Sequence, residues 1–130
     1  MANQFKLFDY IDSRGQNDIK NWTNSLESTD RGKLNAKLDM LSKLGPALFP
    51  HVLTDTPIPG INKLRVKGKV QLRPMLCKGP INIENEFTLL IGAKEIGGKL
   101  TPTGVVDKAN TRKETVLNDS NRRKEHERVS

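Results

Sequence analysis

The stretch "NKLRVKGKVQLRPM", Asn62 to Met75, holds five basic residues and no acid, inside a longer acid-free run from Thr56 to Ile83. Its alternation reads as a β-hairpin. Leu64 and Val66 fall on one side of a first strand, and Val70, Leu72 and Leu76 form the apolar set of a second. An odd-membered loop around Gly68 keeps both apolar sets on one face. Lys63, Arg65, Lys67, Lys69 and Arg73 then share the opposite face of a two-stranded ribbon. Like charges facing each other across strands repel, so such a face is best satisfied by an anionic ligand. Arg65 and Arg73 can each grip a phosphate through two N–H donors, while the lysines add point charge.

The rest of the chain agrees with that polarity. Of its 130 residues, those from 1 to 59 carry seven bases and seven acids, and those from 60 to 130 carry fifteen bases and eight acids. The net charge of +7 therefore belongs to the second half, which points to a polyanionic or acidic partner. The length suits one domain with one modest core. No apolar run is long enough to cross a bilayer and no signal-peptide core opens the chain, so no membrane association and a cytoplasmic location are expected. A single cysteine, Cys77, excludes a disulfide within the chain, and His51 and His126 are too far apart to suggest a metal cluster. Neither a metal nor a small-molecule cofactor is expected.

Outward from the hairpin, "FKLFDYI" (Phe5–Ile11) reads as a strand. Ser13 with Gln16 has the spacing of a capping box, and Ile19, Trp22 and Leu26 recur on one face of a first helix. Thr29 or Asp30 would cap a second helix carrying Leu34, Leu38 and Leu41, stopped by Gly45-Pro46. A turn so short predicts an antiparallel helical hairpin. Four prolines (Pro46, Pro50, Pro57 and Pro59) mark an extended connection. Strands are predicted over 61–66, 70–76 and "EFTLLIG" (Glu86–Gly92), the last apolar enough to be central. Thr101 would cap a final helix with Pro102 at its first position and Val105, Val106, Ala109 and Val116 or Leu117 inside. The composition of residues 118–130 predicts a charged, disordered tail. The expected architecture is α+β, a single domain over 1–117 with helices covering an antiparallel-rich sheet.

A cationic surface of this kind can act on RNA as well as bind it. Attack of a 2′-hydroxyl on the adjacent phosphate builds negative charge that fixed guanidinium or ammonium groups stabilise. A lysine among other cations has a lowered pKa and could serve as general base. His51, in the connection, and His126, in the tail, are expected to be incidental.

Several local patterns, in this order, resemble the RelE/ParE toxin superfamily, specifically its phage-derived HigB-like branch. The resemblance spans roughly Asp12 to Lys113 and is carried by "KLRVKGKVQLRPM", "FTLLIGAKEIGGKLTP" and "VVDKANTRK". The branch shows an "E-L-R" strand, a "Y-R" strand, then "L-L-h-g-f-x-K-K" and a "P…A…R" helix. Arg65, Arg73, Lys94, Pro102, Ala109 and Arg112 match that pattern. The resemblance implies a RelE-like fold and the toxin of a type II toxin–antitoxin pair. It further implies a ribosome-dependent mRNA endoribonuclease that needs no metal or organic cofactor and is inhibited by a cognate antitoxin protein. Arg65, Arg73 and Lys94 would then be catalytic, and Lys63, Lys67, Lys69 and Arg112 would bind RNA. An acidic antitoxin segment would lie on the basic face, or a partner helix in the groove near Trp22, Leu34 and Leu38. The sequence departs from the pattern at Lys63, Leu72 and Glu95, where the branch has glutamate, tyrosine and a second lysine. With no tyrosine or histidine near the last strand or helix, two non-cleaving readings stand beside the nuclease: a ParE-type inhibitor of DNA gyrase and a nucleic-acid-binding module.

Overall fold

Nearly continuous apolar runs in the central strands let one sheet bury both faces. The computed structural model describes residues 5–130. Strand β1 (Lys6–Tyr10) is followed by α1 (Asp18–Ser25) and α2 (Ser28–Leu44). A short 3-10 turn over Gly45–Leu48 leads to β2 (Leu53–Asp55) and β3 (Asn62–Leu64). Then come β4 (Gln71–Leu72), β5 (Met75–Lys78) and β6 (Glu86–Ile91). The chain ends with β7 (Lys94–Ile96), β8 (Lys99–Thr101), α3 (Val105–Asn118) and β9 (Arg123–Glu125). The main sheet runs β2-β3-β5-β6-β1-β9, and β4-β7-β8 form a smaller one. Among the described strands of the main sheet only the β1–β6 pair is parallel. This is an α+β chain with a mostly antiparallel sheet, and no described helix is long and apolar enough to cross a membrane.

In β5, Leu76 points to the side where Leu34, Leu38 and Leu41 of α2 pack with Ile19 and Leu26. Its neighbours Met75 and Cys77 point the other way, against Val105 and Ala109 of α3. Each fully buried leucine contributes about 1.5–3 kcal/mol relative to exposure. Strand β6 is buried along its whole length, which explains why it lacks alternation and reads as central. Gly92, just beyond it, has Trp22 directly against its backbone, where any Cβ would meet the indole ring.

Several expected boundaries move. Asn17, not Ser13, caps α1: its side chain accepts from the Lys20 N–H at 2.9 Å. Asp12 forms the preceding turn by accepting from the N–H groups of Arg14 and Gln16, each at 2.8 Å. The N-cap of α2 is Glu27, without a side-chain bond, rather than Thr29 or Asp30. The eight-residue α1 rests on β1 and β6, and its Ile19 shares a core with Leu34, Leu38 and Leu41 of α2. Thr101 ends β8, and Gly104, in left-handed conformation at φ 76°, is the N-cap of α3. Val116 is the buried one of the Val116/Leu117 pair.

The largest difference lies at the C-terminus. Residues 118–130 are not a disordered tail: β9 pairs antiparallel with β1 and covers what would otherwise be an edge. The anchors are polar. Arg123 pairs with Glu86, and Arg128 with Asp39 at 2.8 Å. Asn35 Nδ2 donates to the Val129 carbonyl at 2.8 Å, beside the buried Val129 side chain. Composition measures apolar content, and these anchors carry almost none.

Candidate nucleic-acid interface

The hairpin forms where expected, with a sharper geometry than alternation alone gives. Val66 and Leu72 exchange both backbone bonds, at 3.1 and 3.0 Å. Further along the ribbon, Lys63 pairs with Met75. That register sets Arg65 opposite Arg73 as a non-hydrogen-bonded pair, the kind whose Cα atoms approach to about 4.5 Å. Their own N–H groups point outward instead, to Val52 O and Ala93 O, both at 2.8 Å. The first ties Arg65 to the residue before β2, and the second ties Arg73 to the residue before β7. The apolar set Leu64, Val66, Leu72 and Leu76 faces α1 and α2 as expected.

The opposite face is not uniformly open. Pro74, which has no N–H, separates β4 from β5, and α3 covers Met75 beyond it. Arg73 itself is buried, only 3% exposed, which corrects the expectation of an outward side chain. Its NH1 donates to Leu72 O at 2.8 Å and its NH2 to Gln71 Oε1 at 3.3 Å. Glu95 Oε2 stands 3.7 Å from NH2. Burial pulls the Arg73 pKa below the usual arginine value; Glu95 opposes this and the Arg65 charge adds to it. Arg73 is thus a pinned cation in the wall of a cavity of about 250 Å³, shared with Thr54, Asp55, Lys63, Arg65 and Glu95. Thr54 Oγ1 is buried there without a hydrogen-bond partner.

Arg65 and Lys63 are half-buried at this cavity, while Lys67 and Lys69 are exposed nearer the hairpin tip. Among the described residues the Arg65 guanidinium has no hydrogen-bond or ion-pair partner. Lys94 does not join them. It pairs with Leu72, and Glu95 pairs with Gln71, so alternation puts Glu95 on the Arg73 side and Lys94 on the other. Arg112 also leaves the anion-binding set. Its NH2 pairs with Asp18 at 2.9 Å, its NH1 donates to Leu90 O at 2.9 Å, and its guanidinium lies 4.7 Å from the centre of the Tyr10 ring. That buried network ties α3 to α1 and β1. A helical periodicity that marks Ala109 and Val116 as inward marks Arg112 too, so this role was visible in the spacing.

Sequence reasoning missed two features. Thr54 and Asp55 reach the cavity from β2, a strand hidden in the Pro-rich connection. At the other edge of the sheet, His126 Nδ1 lies 2.8 Å from Asp9 Oδ1, and Asn17 Nδ2 donates to Asp9 Oδ2 at 2.9 Å. His126 is therefore not incidental: it partners a buried carboxylate and holds the C-terminal segment to β1. No group of three or more His, Cys, Asp or Glu able to hold a metal occurs among the described residues.

Two guanidinium groups opposed across a ribbon, Arg73 pinned and Arg65 without a partner among the described residues, thus stand around one cavity with Lys63, Asp55 and Glu95. A comparison with protein-family models, curated proteins and solved structures finds no match for this chain.

Proposed function

We propose that this chain is a RelE/ParE-type toxin that binds the phosphate backbone of mRNA on the ribosome and cleaves it. The observation that carries this reading is the Arg65–Arg73 pair, set face to face at one cavity with Lys63 alongside. The sequence patterns that resemble the RelE/ParE superfamily support this reading, within an α+β chain of strand, two helices, strands, helix and a last strand. Arg73, held by Leu72 O and Gln71, costs no reorganisation as charge develops on a phosphate. Arg65 is free to close on the same group. Glu95, in the same cavity, offers a carboxylate to take the 2′-hydroxyl proton. The 2′-oxygen–phosphorus bond then forms, the phosphorus–5′-oxygen bond breaks, and the departing 5′-oxygen takes a proton from water. The products are a 2′,3′-cyclic phosphate and a 5′-hydroxyl end. An acidic antitoxin laid over Lys63, Arg65, Lys67 and Lys69 would block the site, and the setting would be the cytoplasm.

Among the described residues no aromatic side chain lines the cavity, and Tyr10 is buried between Arg112 and Arg122. Without a stacking platform for a base, a second reading keeps the binding and drops the cleavage, as in a ParE-type inhibitor of DNA gyrase. Translation of a defined message with purified protein separates the two. New message ends that need both the ribosome and Arg65 support the nuclease. An intact message with gyrase-dependent DNA breaks supports the second reading, and neither effect leaves a nucleic-acid-binding module without catalysis.

A further inference from the structure

Arg65 belongs to two cavities. The one with Arg73 also holds the carboxylates of Asp55 and Glu95. The other, about 390 Å³, is lined by Lys37, His51, Val52, Arg65 and Lys67, with no carboxylate among the described residues that line it. Lys37 comes from the middle of α2, between the buried Leu34 and Leu38, so a packed helix holds its backbone in place. Lys67 comes from the hairpin and His51 from the segment before β2, so three separate parts of the chain converge on it.

The cations here differ from those of the C-terminal segment. At the opposite sheet edge Arg123 pairs with Glu86, Lys124 with Glu127 and Arg128 with Asp39. Among the described residues, none of Lys37, Arg65 and Lys67 has an ion-pair partner. A solvated face normally mixes signs; this concave one does not. A guanidinium carries five N–H donors, enough to serve two phosphates at once.

We propose that the Lys37–His51–Lys67 cavity is a second phosphate subsite, which takes the neighbouring phosphate of the same single-stranded polynucleotide while Arg65 bridges the two. The proposal rests on the reading of the hairpin as an RNA interface. It makes the difference in lining meaningful. The cavity with Asp55 and Glu95 accepts hydrogen bonds from sugar hydroxyls as well as holding phosphate, and the purely basic one holds phosphate alone. The strand would therefore run from the face of the sheet around β2 toward α2.

The test is equilibrium binding of a labelled eight-residue oligouridylate to the full-length chain across a salt series. Lys37→Ala/Lys67→Ala should lower affinity about tenfold and reduce the log–log salt slope by about 0.7, the loss of one phosphate contact on a single strand. Lys37→Met/Lys67→Met, which keeps the aliphatic stems, should do the same if loss of charge is the cause. Lys20→Ala/Lys124→Ala, on α1 and β9, should change affinity less than threefold. Equal effects of the two alanine pairs would overturn the subsite, as would an unchanged slope in the first. If Arg65→Ala weakens binding while Lys37→Ala/Lys67→Ala does not, the subsite alone falls. If Arg65→Ala leaves binding unchanged as well, the interface reading falls with it.

Discussion

Replacing Arg65 with alanine should separate binding from stability. The guanidinium faces Arg73 across the ribbon and has no hydrogen-bond or ion-pair partner among the described residues. Removing one of two opposed like charges relieves about 0.2–1 kcal/mol. Some contact made by the aliphatic stem is lost in exchange. For a chain of this size 1 kcal/mol moves the melting temperature by roughly 4 °C, so thermal unfolding should be unchanged or up to about 4 °C higher. RNA binding should move the other way. A charge-assisted bond to phosphate is worth about 1.5–3 kcal/mol, so affinity should fall about 10- to 150-fold. Circular dichroism melts and fluorescence anisotropy on the same preparation read both quantities. A melting temperature at least 5 °C lower, or an RNA affinity within twofold of the parent, would refute the reasoning. Arg73→Ala is a poorer probe: it strips the bond to Leu72 O and empties a buried position, so about 1–3 kcal/mol of stability should go with the binding.

His126→Ala leaves the Asp9 carboxylate buried with Asn17 alone, and should cost about 3 kcal/mol in chemical denaturation; a loss under about 0.5 kcal/mol would mean the pair is not a strut. Gly92→Ala drives a methyl group into Trp22 and should destabilise by at least about 2 kcal/mol or prevent soluble expression, whereas parental stability would contradict that packing. Burial raises the Cys77 thiol from 9.0 to about 12, so iodoacetamide at pH 8 should label only unfolded protein. The same shift means the unfolded chain loses this proton first. Stability contributed by Cys77 is full below about pH 9 and falls as pH rises toward 12; rapid labelling of native protein would contradict the burial.

Much of the architecture was legible because apolar spacing drives it. The stripe Leu34, Leu38 and Leu41 and the hairpin's apolar set follow from periodicity, and the two-sided burial of β6 from its nearly unbroken apolar run. Helix starts were less legible, because Ser13, Asn17 and Asp30 are all able caps and tertiary packing chose among them. The last strand was hidden, since β9 is held by ion pairs and a buried carboxylate rather than by an apolar run. At the candidate site, Lys63 and Arg65 were readable from charge and alternation. The fate of Arg73 was not, because its burial depends on β7 arriving from twenty residues on. The parity of Lys94 and Glu95 needed the register between two strands, which one strand's sequence does not contain.

The claim that the hairpin is where polyanions dock is tested most directly by mapping a single-stranded RNA titration onto the amide and arginine side-chain resonances of the labelled protein. The largest shifts are expected at Lys63, Arg65 and Lys67, at the Arg65 Nε–H group, and at His51 and Lys37 behind it. Shifts centred instead on β9, α1 or α3, with the Arg65 signals unmoved, would contradict it.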